Sequence, residues 1–200
     1  MGDSQKAGRR PGRRGWERIT RMKVVGFVGT SGSGKTTLIE QVVARLADTG
    51  IRVGVLKHAR HGFDMDRPGK DSFRVREAGA AQVLVASNER WVLLGEPPDP
   101  LEEPSLAMML RRFDGTTLDL VLVEGFSHEH YPKIEVYRLA HGKPPRCWPN
   151  DPAVIAVATD TPMDGGAVPR LDVNAGLEVT QFVLDYLALP TVLSPAVESR

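Results

Sequence analysis

The run Gly29-Thr30-Ser31-Gly32-Ser33-Gly34-Lys35-Thr36 satisfies G-x-x-x-x-G-K-[ST] without a gap. Such a loop works only between a buried strand and a helix start, so it constrains its neighbours on both sides. Before it, Lys23-Val24-Val25-Gly26-Phe27-Val28 is a β-branched apolar run of buried-strand length. After it, Leu38, Ile39, Val42, Val43, Leu46 and Ala47 recur on adjacent helical rows and predict one buried stripe. Gly50 stands where a helix stops in a left-handed turn, and a second β-rich run, Ile51 to Leu56, follows. Strand, glycine loop, helix and strand make a βαβ unit, whose parallel pairing requires a right-handed crossover.

Later segments extend the same layout. Asp71 to Ala80 reads as a short helix, and Gln82–Ala86 and Trp91–Leu94 as the strands of a hairpin. Leu101 to Phe113 reads as helical after its Pro104, Leu118–Val123 as a strongly apolar strand, and Lys133–Tyr137 as a strand of period two. Pro144, Pro145, Pro149 and Pro152 make 142–152 a loop, Ala153–Ala158 is another buried strand, and Leu177–Leu189 an amphipathic helix stopped by Pro190. The expected class is α/β: a P-loop NTPase three-layer fold, a mostly parallel sheet with helices on both faces, plus a β-hairpin insertion.

The chemistry follows from the loop. Glycines allow its backbone N–H groups to turn inward on phosphate oxygens, and the helix opening near Lys35 adds its positive dipole end. Gly29, Thr30, Ser31, Gly32, Ser33 and Gly34 form the cradle, Lys35 reaches the β- and γ-phosphates, Thr36 ligates Mg²⁺ and Thr37 touches the α-phosphate. The second magnesium-side carboxylate belongs at the end of a neighbouring strand. Glu124 ends Leu118–Val123 there, one methylene longer than the usual Asp, and acts through water or as its activator; Asp119, at the far end of that strand, reads as a surface residue. Lys35 and Glu124 are therefore the candidate catalytic pair.

In the segment 57–72, Asp64 and Asp66 could bind Mg²⁺ directly or through water, while Lys57 and Lys70 could meet an anionic substrate; a solvated polar loop would look the same. His58-x-x-His61 and His128-x-His130 lack a third ligand at zinc spacing. Asp160, after the strand 153–158, could read guanine, although the Asn and Lys of the usual guanine-reading motif are missing.

Composition narrows the class rather than the chemistry. With 200 residues, 41% hydrophobic and 26% charged, the chain is long enough for one core and is neither fibre nor disulfide miniprotein. Its net charge of +1 hides a tail, residues 1–21, carrying seven basic and two acidic side chains; the other 179 residues hold 19 basic and 23 acidic groups. The tail is expected to be disordered and basic, 22–190 to be the nucleotide-binding domain, and 191–200 a C-terminal tail. The mildly acidic body gives no reason to expect nucleic acid binding. A lone Cys147 and the lack of any apolar run near the ~18–20 residues of a membrane span point to the cytoplasm.

These residues together resemble the molybdopterin-guanine dinucleotide biosynthesis protein B (MobB) family. The resemblance rests on the P-loop, on Leu56-Lys57-His58, on Asp64 to Ser72 with Arg76 to Gln82, and on Val85-Ala86-Ser87 with Arg90-Trp91. It continues through Leu118 to Phe126 and Val154 to Asp160. It implies a GTP-binding protein with weak intrinsic hydrolysis that assists the guanylyltransferase (MobA-type) joining GMP to molybdopterin. It further implies Mg²⁺, GTP as bound nucleotide, molybdopterin as a ligand, and a homodimer to which the strands around 82–94 contribute. No glutamine follows Glu124-Gly125 to position water, which suits slow turnover. Two other classes fit the P-loop: a small-molecule kinase, for which Arg111-Arg112 is the one close candidate lid pair, and a nucleotide-switched adaptor without physiological hydrolysis.

Overall fold

A computed structural model describes residues 22–59, 62–63, 66–97, 103–162 and 168–189. The expected tails, 1–21 and 191–200, lie outside the described residues, as does Asp64. The chain divides into two compact units, one from 1–58 with 106–200 and the other 59–105.

The larger unit is built on a six-stranded sheet of order β2-β5-β1-β6-β7-β8. The strands are β1 (Lys23–Val28), β2 (Val53–Lys57), β5 (Leu120–Glu124), β6 (Lys133–Tyr137), β7 (Val154–Thr159) and β8 (Arg170–Asp172). Every pairing is parallel, so all the carboxyl ends meet along one edge. The short β8 carries no periodicity that three residues could express, and sequence patterning missed it.

Helix α1 (Lys35–Asp48) buries Leu38, Ile39, Val42 and Leu46, the expected stripe. It ends as Gly50 predicts: the Gly50 N–H donates to Ala47 (2.9 Å) and the Ile51 N–H to Leu46 (3.1 Å), with Gly50 at φ +80°. On the same sheet face lies α4 (Gly176–Leu187), and the two join Val25, Phe27, Leu120, Leu122, Ile134 and Ala158 in the main core. The alternate strand residues Val121 and Val123 face the other way, where α3 (Leu106–Leu110) covers them with Leu106 and Leu110. Each fully buried Leu or Phe contributes about 1.5–3 kcal/mol. The helix expected after Pro104 thus runs only over Leu106–Leu110, and Arg111-Arg112 leave it on the face opposite α1.

The period-two pattern of β6 hides an unusual burial. Lys133 and Glu135 are 0% and 1% exposed because the proline-rich segment after β6 folds over them. Lys133 Nζ pairs with Asp151 (2.8 Å) and donates to the carbonyls of Glu129 (2.5 Å) and Ser127 (3.2 Å). The Glu135 carboxylate accepts the backbone N–H groups of Arg146, Cys147 (2.9 Å) and Trp148 (2.6 Å). Both buried charges are therefore spent on holding the loop as a lid on the sheet. Burial pushes the Cys147 thiol up, as expected for an inert core cysteine.

The smaller unit contains α2 (Asp71–Glu77) and the antiparallel hairpin β3 (Gln82–Ala86) and β4 (Trp91–Gly95). Leu84 pairs with Leu93 and Ala86 with Trp91 on one face, and Val85 with Val92 on the other. Leu84 and Trp91 are 64% and 67% exposed. Arg76 bridges Glu96 (3.0 Å) and Asp66 (3.5 Å), tying α2 to the segments on either side of it.

Among the described residues no helix is long and apolar enough to cross a membrane.

Candidate functional site

β1 delivers the chain to Gly29 at the middle of the sheet's carboxyl edge. A Cβ on Gly29 would stand 2.3 Å from the Val136 carbonyl oxygen, and its φ of +138° excludes side chains independently. The loop can therefore leave β1 only by passing hard against the β6 backbone. It enters α1 through Gly34, the left-handed N-cap at φ +93°, and no side chain caps the helix. The first-turn N–H groups of α1, which have no carbonyl partner within the helix, face the loop mouth. Ser33 contributes backbone here, for its hydroxyl is fully buried beneath the loop beside Gly29.

Lys35 Nζ donates to the carbonyls of Thr30 (2.7 Å) and Gly29 (3.2 Å), so the ammonium lies along the loop it belongs to. Thr36 and Thr37 are exposed in the first turn of α1. On the β5 side, the Thr36 hydroxyl donates to Glu124 at 2.9 and 3.1 Å. Lys57, at the end of β2, donates to Thr36 Oγ1 (3.1 Å) and pairs with Glu124 (3.2 Å). Thr36, Lys57 and Glu124, far apart in the chain, thus form one hydroxyl–ammonium–carboxylate triangle at the strand ends. A hydroxyl and a carboxylate in contact are the hard oxygen donors Mg²⁺ takes, alongside waters and phosphate oxygens. The residues fit such an ion.

The turn after β5 is held by aromatic packing. Gly125 (φ +102°) has His58 against it, and the His58 ring stacks on Phe126 at 4.6 Å. Tyr131 donates to the Gly125 carbonyl (2.6 Å) and crosses β1 over Gly26, where a Cβ would meet its ring at 2.4 Å. Burial pushes the Tyr131 hydroxyl up, favouring the protonated form that donates to Gly125.

On the β6 side stand residues that sequence reasoning missed. Arg138 follows β6 directly; its Nε and Nη2 lie 3.4 and 3.8 Å from the Cβ position of Gly34. His141 Cε1 lies 3.3 Å from that of Gly32. Arg138 Nη1 pairs with Asp160 (3.1 Å) and Nη2 donates to the side chain of Asn174 (2.9 Å), between β8 and α4. Asp160 Oδ1 also accepts the Leu139 N–H at 3.4 Å. Asp160 therefore reaches the carboxyl edge, as expected, with its carboxylate directed at a guanidinium. A signal for Arg138 existed: it is the first residue beyond a strand that ends at the ligand edge.

Of the expected pair Asp64 and Asp66, only Asp66 is among the described residues, and its contacts are local. Asp66 accepts from the Ser72 hydroxyl (2.9 Å) and the Arg67 N–H (3.0 Å) and meets Arg76, a set of contacts that pins the start of α2. Asp119 pairs with Arg52 (3.2 Å) at the opposite end of the sheet, where a surface role was expected, and Arg52 holds its carboxyl below the usual range by hydrogen bonding.

Comparison with known proteins adds an independent line. The model of the family described as molybdopterin guanine dinucleotide synthesis protein B matches residues 24–160. A molybdopterin-guanine dinucleotide biosynthesis adapter protein of Escherichia coli (strain K12) is 44% identical over 168 residues, covering 84% of this chain and 95% of that protein. The adapter protein of Haemophilus influenzae is 42% identical over 167 residues, 82% of this chain and 89% of that one. The crystal structure of a MobB homologue from Bacillus stearothermophilus superposes with a TM-score of 0.61 at 26% identity, covering 84% of this chain and all of that one.

Proposed function

The chain belongs to the MobB family of molybdopterin guanine dinucleotide synthesis proteins, and on that premise we propose that it is a GTP-binding adapter for attaching GMP to molybdopterin. The observation that carries the nucleotide half of this reading is the glycine cradle at the uncapped start of α1, with Lys35 laid along it. Gly29 to Thr37 hold the phosphates, and Asp160 belongs to the same rim. Thr36 and Glu124 would hold Mg²⁺, which would supply positive charge against the phosphates, and Lys57 stands beside both side chains. Hydrolysis is slow and secondary, with Lys35 and Glu124 as its machinery. The partner is a guanylyltransferase of the MobA type acting on molybdopterin in the cytoplasm.

Titration with fluorescent GTP and ATP analogues, with and without Mg²⁺, tests this reading. Tighter binding of GTP than ATP, strengthened by Mg²⁺, is expected; equal affinity for the two defeats the guanine assignment.

The exposed hairpin supports a homodimer. A two-stranded sheet apolar on both faces is marginal alone in water and gains by covering Leu84, Trp91 and Leu93 with a second copy. Light scattering at tens of micromolar protein is expected to give a dimer for the native chain and a monomer for Leu84→Glu/Trp91→Glu. A monomeric native chain at that concentration removes the dimer.

A further inference from the structure

Arg138 brings a guanidinium, held by Asp160 and Asn174, to the start of α1. Its guanidinium lies beside Gly34, the N-cap of α1, and so faces the positive end of the helix dipole. Like signs so close destabilise one another. Asp160 pairs with the guanidinium, and at 28% and 29% side-chain exposure this pair is neither sealed in the core nor free in solvent. Geometry adds to the charge argument. Asp160 and Asn174 take the two terminal nitrogens and fix the guanidinium plane, while the Nε edge is turned to the loop. Two strand ends and the turn before α4 are thus used to aim one arginine at the phosphate cradle. A fork of donors held in this way matches a phosphate oxygen better than a mobile side chain does, because its ordering cost has been met in the fold.

We infer that Arg138 contacts the phosphate chain of the bound nucleotide from the β6 side of the loop, and that Asp160 and Asn174 are positioning residues for its guanidinium. Asp160 then acts on the nucleotide through Arg138 and is blind to the base. The inference rests on the nucleotide-binding reading of the P-loop.

The test is equilibrium binding of fluorescent GTP and ATP analogues with Mg²⁺ to the full chain and its variants. Arg138→Ala is expected to weaken both nucleotides by the same factor, about tenfold or more. Arg138→Gln, neutral and closer in size, is expected to do likewise and carries the test if the alanine variant melts early. Asp160→Asn is expected to weaken both nucleotides equally and by less, and to add little in the Arg138→Ala background, since its effect passes through the missing guanidinium. Native affinity in Arg138→Gln overturns the inference. So does an Asp160→Asn variant that loses GTP while keeping ATP, because Asp160 would then read guanine itself. Lys35→Ala in parallel separates the two levels: if it binds as the native chain does, the P-loop reading fails and this inference with it. If Lys35→Ala loses binding and Arg138→Gln does not, only the role of Arg138 fails.

Discussion

Lys35→Ala is expected to lower nucleotide affinity by about 100-fold or more while leaving the fold intact. The magnitude follows from removing charge-assisted hydrogen bonds to phosphate, worth about 1.5–3 kcal/mol each, together with the one side-chain cation that belongs to the loop itself. The fold is expected to survive for local reasons. Lys35 opens α1 at a partly exposed position, alanine is the best helix former, and the contacts it gives up are to the Gly29 and Thr30 carbonyls at the loop mouth. Calorimetric titration with GTP, beside a thermal melt of the same sample, checks both halves. Native affinity in the variant removes the P-loop assignment; a collapsed melt would show that the ammonium is needed to close the loop. Thr36 offers a finer control, because its hydroxyl reaches Glu124 and Lys57 rather than the loop carbonyls. Its loss is expected to fall on the Mg²⁺-dependent part of the affinity.

The largest effect on stability is expected from Lys133→Ala, at about 3–5 kcal/mol, read as a fall in the urea midpoint. Lys133 is fully buried, and its removal leaves Asp151 without its cation and the Ser127 and Glu129 carbonyls without their donor. Lys133→Met with Asp151→Asn is expected to recover part of the loss, because removing both charges avoids leaving the half-buried Asp151 without its partner. Recovery failing entirely would mean that the carbonyl contacts, not the ion pair, carry the effect. The same pair sets an acid limit. Burial pushes the Asp151 carboxyl up, but the Lys133 hydrogen bond, the Ala153 N–H and the Lys133 charge outweigh it and leave the group below its ordinary value of 3.8. A folded-state value below the unfolded one stabilises the protein above the unfolded pKa, and the contribution fades as pH falls through the folded value. Native stability is thus expected to drop below about pH 4, and this drop is expected to shrink in Lys133→Ala.

The two buried charges of β6 also show where sequence patterning ends. Alternation in Lys133–Tyr137 identified the strand, yet the polar positions of such a pattern ordinarily face water. Here residues 142–152 return over them, and Glu135 supplies the acceptor for three of the loop's N–H groups. Nothing in a five-residue window announces that a loop beginning several residues later will cover it. The helix expected after Pro104 is shorter than its pattern for a related reason: only the turn that Leu106 and Leu110 bury against Val121 and Val123 is held as helix. A short helix depends on tertiary packing more than on propensity.

By itself the sequence determined the glycine loop, its flanking strand and helix, the Gly50 stop, the parallel class of the sheet and the hairpin. These depend on interactions within a few residues, and glycine placement and apolar period express such interactions directly. Only the tertiary structure decided what surrounds the cradle. Thr36 meets Glu124 across 88 positions and Lys57 across 21, while Arg138 meets Asp160 across 22 and Asn174 across 36. Those partners come together because a parallel sheet brings distant strand ends to one edge, and which ends become neighbours follows from strand order, β2-β5-β1-β6-β7-β8. Asp160 was legible as a carboxylate at that edge. That it faces an arginine was settled by β6 lying between β1 and β7, a fact of packing that no local pattern encodes.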